Sequence, residues 1–74
     1  MLTVTNPTSG VVELDWTNLN GPWTIVWVNG YDTVWPNTGH HEVKPAPLGR
    51  DSFKVCMPGP RFDICTPTVR LIVR

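Results

Sequence analysis

Apolar and polar residues alternate with a period of two in several segments of the chain. Val12, Leu14 and Trp16 alternate with Glu13 and Asp15, the pattern of a strand with one apolar face. Upstream, Leu2-Thr3-Val4-Thr5 reads as a first strand closed by Asn6-Pro7-Thr8-Ser9-Gly10, and Thr17 to Pro22 reads as a loop. Trp23 to Val28 and Tyr31 to Trp35 flank Asn29-Gly30. Asn-Gly between two β-rich runs is a strong hairpin signal, because a type I′ turn needs positive φ at both central residues. Pro36 to Gly39 turns the chain, His40 to Lys44 reads as a short strand, and Pro45 to Gly49 forms a corner. Ser52 to Met57 places Phe53, Val55 and Met57 on one side and Ser52, Lys54 and Cys56 on the other. Pro58-Gly59-Pro60 makes a hairpin tip, Phe62 to Thr66 returns, and Thr68 to Arg74 ends the chain with Val69, Leu71 and Val73 on one face. Pro67 marks a bulge or an edge position, since it cannot donate to a ladder. The pattern predicts a single all-β domain over residues 1–74, a small seven-stranded sandwich of two sheets.

A two-residue hairpin loop also fixes register. Val28 then faces Tyr31, Val26 faces Thr33 and Thr24 faces Trp35, and directly opposite side chains share a sheet face. Val26, Val28, Tyr31 and Trp35 therefore share one face, while Ile25, Trp27 and Val34 share the other. The predicted inter-sheet core is Trp16, Ile25, Trp27, Phe53, Val55 and Leu71, with Trp23 also assigned inward. That choice leaves Val26, Val28, Tyr31 and Trp35 on the outside as an aromatic and β-branched cluster, which predicts a protein-contact surface. The competing arrangement folds Trp35 over the sheet edge, or slips the register by one residue and exchanges the faces.

Composition agrees with the pattern. Six Gly and eight Pro interrupt the chain so often that no helix of ordinary length fits between them. Six Lys/Arg balance six Asp/Glu for a net charge of zero. No basic stripe is available to a phosphate backbone, so no nucleic-acid partner is expected. The longest stretch free of Gly and Pro, Val11 to Asn20, carries Glu13 and Asp15, and no membrane span or signal peptide is read. Zero net charge gives little protection against association and suits a protein that sits in an assembly.

Candidate chemistry is sparse. Cys56 and Cys65 flank the tip between two neighbouring strands, and a cross-strand disulfide on the outward face fits this spacing. Two reduced, packed thiols are the alternative. A metal site is disfavoured, because zinc wants about four ligands and only His40 and His41 remain, at adjacent positions that point to opposite faces. Ser9, Ser52, the two His and the Asp residues show no nucleophile elbow, paired carboxylates or phosphate-binding loop. The expectation is a protein without enzymatic activity and without a cofactor.

On these residues the chain resembles a fibronectin type III domain, an immunoglobulin-like sandwich. Val12-Glu13-Leu14-Asp15-Trp16 looks like that family's second strand ending in a core Trp, and Trp23-Thr24-Ile25-Val26-Trp27 like its third. Val43, Pro47-Leu48-Gly49 and Phe53-Lys54-Val55 resemble its turn into the sixth strand. The likeness spans nearly the whole chain, although the chain is shorter than the usual module. The Tyr that normally anchors the corner before the sixth strand is absent, with Asp51 or Ser52 standing nearby.

The resemblance implies a structural or binding module. Stand-alone immunoglobulin-like domains are familiar in tailed-phage particles, so it implies a virion protein such as a capsid decoration or cement subunit. Such a subunit sits on the virion surface, with capsid protein or a second copy of itself as partner. The resemblance equally permits an extracellular spacer or carbohydrate-binding module of a secreted bacterial hydrolase. An engineered binding scaffold is a third reading, disfavoured by the single Tyr and the two Ser. A chain that opens with Met one residue before its first strand, and ends on its last, favours a complete gene product over an excised module.

Overall fold

The computed structural model describes residues 1–74. Eight strands form and no helix: β1 (Leu2–Thr8), β2 (Val11–Trp16), β3 (Trp23–Val28), β4 (Tyr31–Pro36), β5 (His40–Val43), β6 (Gly49–Met57), β7 (Ile64–Cys65) and β8 (Val69–Val73). One sheet has the order β1-β2-β5. The other runs β4-β3-β6, with both β7 and β8 on the far side of β6, and all pairings are antiparallel.

The eighth strand, against an expectation of seven, arises at Pro67. β6 is long enough to pair with β8 along Gly49 to Phe53 and with β7 at Cys56 and Met57. Between these stretches Pro67 has no N–H to give. Thr66 bridges the gap: its N–H donates to the Val55 carbonyl and its Oγ1 accepts from the Val55 N–H.

The two open sheets face each other across a core, consistent with a sandwich. Leu2, Val12, Leu14 and Trp16 come from the first sheet, Val26, Phe53, Val55 and Val73 from the second, and Ala46 from the connection before β6. Trp16 is buried as predicted. Its Nε1 donates to Asn37 Oδ1 at 2.9 Å, and Asn37 Nδ2 donates to the carbonyls of Leu19 and Gly21. One Asn thereby ties the end of β2 to the following loop and to the turn after β4.

The hairpin register is as expected, but its faces are the reverse. Val28 pairs with Tyr31, Val26 with Thr33 and Thr24 with Trp35. Asn29 and Gly30 hold φ values of 53° and 84°. β3 also pairs with β6, placing Val26 beside Val55 and Val28 beside Phe53. Adjacent residues in a ladder share a face, so Thr24, Val26 and Val28 face the core. Ile25 and Trp27 lie on the outer face, half-buried, and Trp23 is 53% exposed. The outer face shields them locally: Lys54 Nζ lies 5.0 Å above the Trp27 ring, and Ile25 stands beside Cys56. Phe53 and Val55 are fully buried as expected, and Leu71 packs half-buried against the core.

Cys56 and Cys65 are joined in a disulfide. Their Cα atoms are 3.9 Å apart, closer than the expected range of about 4.4–6.8 Å. The bridge is on the outer face, yet Cys56 is buried there, because β7 and the half-buried Ile25 flank it on its two sides.

Candidate functional site

The two long sides of the sandwich close differently. On the β1/β8 side hydrogen bonds join the sheets at the Arg74 end: the Gly10 N–H donates to the Arg74 carbonyl at 2.8 Å and the Arg74 N–H donates to Asn6 Oδ1 at 2.7 Å. Along β4 and β5 no hydrogen bond crosses, and a cleft of about 310 Å³ opens between the sheets.

This cleft collects the residues singled out from sequence. Val26 and Val28 form its floor, with Val26 only 1% exposed, and Tyr31, Thr33 and Trp35 line the β4 side. His41, Val43 and Pro45 are among the residues of the opposing wall. The shared face of Val26, Val28, Tyr31 and Trp35 is therefore real, but it is the inner face of the sheet where the sandwich gapes. The outward placement is corrected by the β3–β6 pairing. Tyr31 and Trp35 remain accessible, at 81% and 43%, because β4 extends past the edge of the facing sheet.

Trp35 is held from two sides. Its ring packs at a tilt of 37° against His41, with centroids 4.6 Å apart, and its Nε1 donates to Thr33 Oγ1 at 2.8 Å. Thr24, fully buried beneath it, donates its hydroxyl to the Trp35 carbonyl. A positioned aromatic costs less entropy to engage than a free one. His41 follows from adjacency in a strand: His40 points out and His41 points in. Nothing in the sequence marks Trp35 as its packing partner.

The electrostatics of the two imidazoles differ accordingly. Burial beside the cleft, and then the neighbouring His40, push the His41 pKa below its ordinary 6.5. His40 Nδ1 lies 2.8 Å from Asp15 Oδ1, and this hydrogen bond, opposed by slight desolvation, holds its pKa above 6.5. His40 and Asp15 are both about half exposed, so the pair contributes little stability.

Elsewhere the polar side chains serve the fold. Asn29 of the turn accepts from the Ser52 N–H and donates to buried Asp51 Oδ1 at 2.9 Å, pinning the hairpin to β6. No three His, Cys, Asp or Glu side chains gather in a geometry that could hold a metal ion. Comparison with protein-family models, with curated proteins and with solved structures gives no match.

Proposed function

We propose that this protein is a non-enzymatic binding module that docks into a larger protein assembly through the open β4/β5 side of its sandwich. The observation that carries this reading is the contrast between its two sides. One is tied by hydrogen bonds at its Arg74 end, and the other presents Tyr31 and Trp35 to solvent beside a cleft floored by Val26 and Val28. Exposed aromatics clustered at a rimmed cleft are the usual anchors of a protein interface. Net charge of zero removes any long-range repulsion between copies or partners.

We place the module in the immunoglobulin-like class, trimmed to 74 residues. The strand order supports this, with β1, β2 and β5 facing β3, β6 and the β7/β8 edge, much as strands A, B and E face C, F and G in such sandwiches. The setting we propose is the virion surface, as a capsid decoration or cement subunit.

Binding to capsids of the encoding phage, prepared without this subunit, tests the reading. Saturable binding is expected, and Trp35→Ala should weaken it by about 2 kcal/mol, roughly 30-fold in Kd, the size of a hot-spot loss. Absence of binding overturns the capsid setting. Retention on insoluble polysaccharide, lost in the same variant, would replace it with the carbohydrate-binding alternative.

A further inference from the structure

The backbone of β4 is the least protected sheet edge of the molecule. β1 carries a register irregularity between Thr5 and Thr8, contains Pro7, and lies against β8. β5 is four residues long and bears His40 and Glu42. β7 has two residues. β4 has six, all exposed, in unbroken register with β3 and with Asp32 as its sole charge. Natural edge strands are usually blunted by charge, proline, bulges or shortness, and β4 has only the single charge of Asp32 and, at its end, Pro36.

Its unpaired groups can be assigned. The two-residue loop makes Val28 and Tyr31 a hydrogen-bonded pair, and every second pair follows: Val26 with Thr33 and Thr24 with Trp35. The Asn37 N–H, which donates to the Pro22 carbonyl at 3.0 Å, continues that series. The N–H and C=O of Asp32 and Val34 therefore point away from β3. Neither residue makes a backbone hydrogen bond outside the ladder.

We propose that the occupant of this edge is a second copy of the chain. Two β4 strands pair antiparallel about a two-fold axis through Thr33, joining two five-stranded sheets into one of ten. The proposal rests on the reading of this side as a docking site and names its partner.

Self-complementarity selects the axis. Outward-pointing residues must face one another, so the axis passes through a residue and not between two. Through Asp32, two carboxylates would stand directly opposite, an unfavourable pairing. Through Val34, Asp32 would meet Pro36, which has no N–H to donate. Through Thr33 neither fault arises. Asp32 exchanges two hydrogen bonds with Val34 of the partner subunit, and symmetry supplies two more. Thr33 meets its own copy, and Tyr31 lies opposite Trp35 of the partner subunit, an aromatic cross-strand pair beside the cleft. The ladder ends where Gly30 would reach Pro36. A pairing this short is at the small end of specific interfaces, so a dissociation constant in the micromolar range is expected.

Sedimentation equilibrium of the full chain from about 1 μM to 1 mM, the range of such weak interfaces, should show monomer and dimer. Val34→Pro removes the Val34 N–H without touching the β3 ladder. It should raise the dimer dissociation constant at least about tenfold, because symmetry deletes two hydrogen bonds per dimer. Thr33→Cys should form a covalent dimer on oxidation, since residues opposite each other at a non-hydrogen-bonded position lie about 4.5 Å apart at Cα, within disulfide reach. Val34→Cys, facing Asp32, should not.

A chain that stays monomeric at 1 mM overturns the proposal, as does a Val34→Pro variant that dimerises like the parent, or Val34→Cys cross-linking as readily as Thr33→Cys. A monomeric chain that still binds capsids through Trp35 overturns self-pairing alone. A β4 dimer with no affinity for capsids overturns the capsid setting and leaves self-pairing standing.

Discussion

The two sides of the sandwich solve the same problem in opposite ways. Where β1 meets β8, Asn6 makes three hydrogen bonds, donating to the carbonyls of Thr8 and Val11 and accepting from the Arg74 N–H. Ala46 adds a bond to the Gly10 carbonyl, and Gly10 to the Arg74 carbonyl. The polar groups of Asn6, Gly10 and Arg74 are thereby used internally. Where β4 meets β5, a single tilted contact of Trp35 with His41 spans the gap, and the Asp32 and Val34 backbone is left free. Sealing one side with directional bonds lets the other stay open without loosening the domain.

Four changes would break or sharpen this contrast. The largest effect should come from Trp16→Ala, which removes the shared core beneath both sides and orphans Asn37. A loss of about 3–5 kcal/mol in denaturant melts is expected, and less than about 1 would place Trp16 outside the core. Asn6→Ala should cost about 1–2 kcal/mol, because one part-buried and two exposed hydrogen bonds go together. Amide exchange of Gly10 and Arg74 should accelerate while that of β3 changes little. Trp35→Ala, on the open side, should cost under about 1 kcal/mol at concentrations where the chain is monomeric. A large loss of stability there would mean that the open side is structural after all.

The smallest effect is the pH response of the two imidazoles. His41 has a lowered folded pKa, so its contribution is present above pH 6.5 and fades as pH falls through that lowered value. His40 has a raised folded pKa, so its contribution is present below pH 6.5 and fades as pH rises through the raised value. The two oppose each other, so the parent chain should change less than the more responsive of the two single variants between about pH 7.5 and 5.5. His40→Gln should expose an acid-side loss of stability, and His41→Gln an acid-side gain, both read as shifts of the urea midpoint.

Much of this fold is legible where a residue type has one physical use. Asn29-Gly30 specified both the turn and the register of β3 against β4. Alternation in Val12 to Trp16 and in Val69 to Val73 picked the core face correctly, because the opposite face carried charge. β3 offered no such sign. All six of its residues are apolar except Thr24, so periodicity could not say which set faces inward. Size argued for Trp27, but the pairing of Val26 and Val28 with β6, more than twenty positions downstream, decided otherwise. Thr24 is fully buried because its hydroxyl is satisfied by the Trp35 carbonyl, which no local pattern records. Asn6 and Asn37 each sit beside a Pro and read as turn residues, and their bonds to distant backbone exist only in the folded chain. The candidate site was legible as a set of residues sharing a face, but not as a cleft, since its other wall comes from β5.

The sealed side also sets how the domain would carry a load. The Met1 terminus is bonded to Thr17 at the tip of β2, whereas Arg74 is bonded to Gly10 at the opposite tip, along a body 37 Å long. β1 and β8 run side by side in the same direction, so tension applied between the two ends slides one strand past the other. The two bonds that tie Arg74 to Asn6 and Gly10 lie across that motion and resist it. Stretched in a force spectrometer between Met1 and Arg74, the domain should yield in a single high-force event, and Asn6→Ala should lower that force.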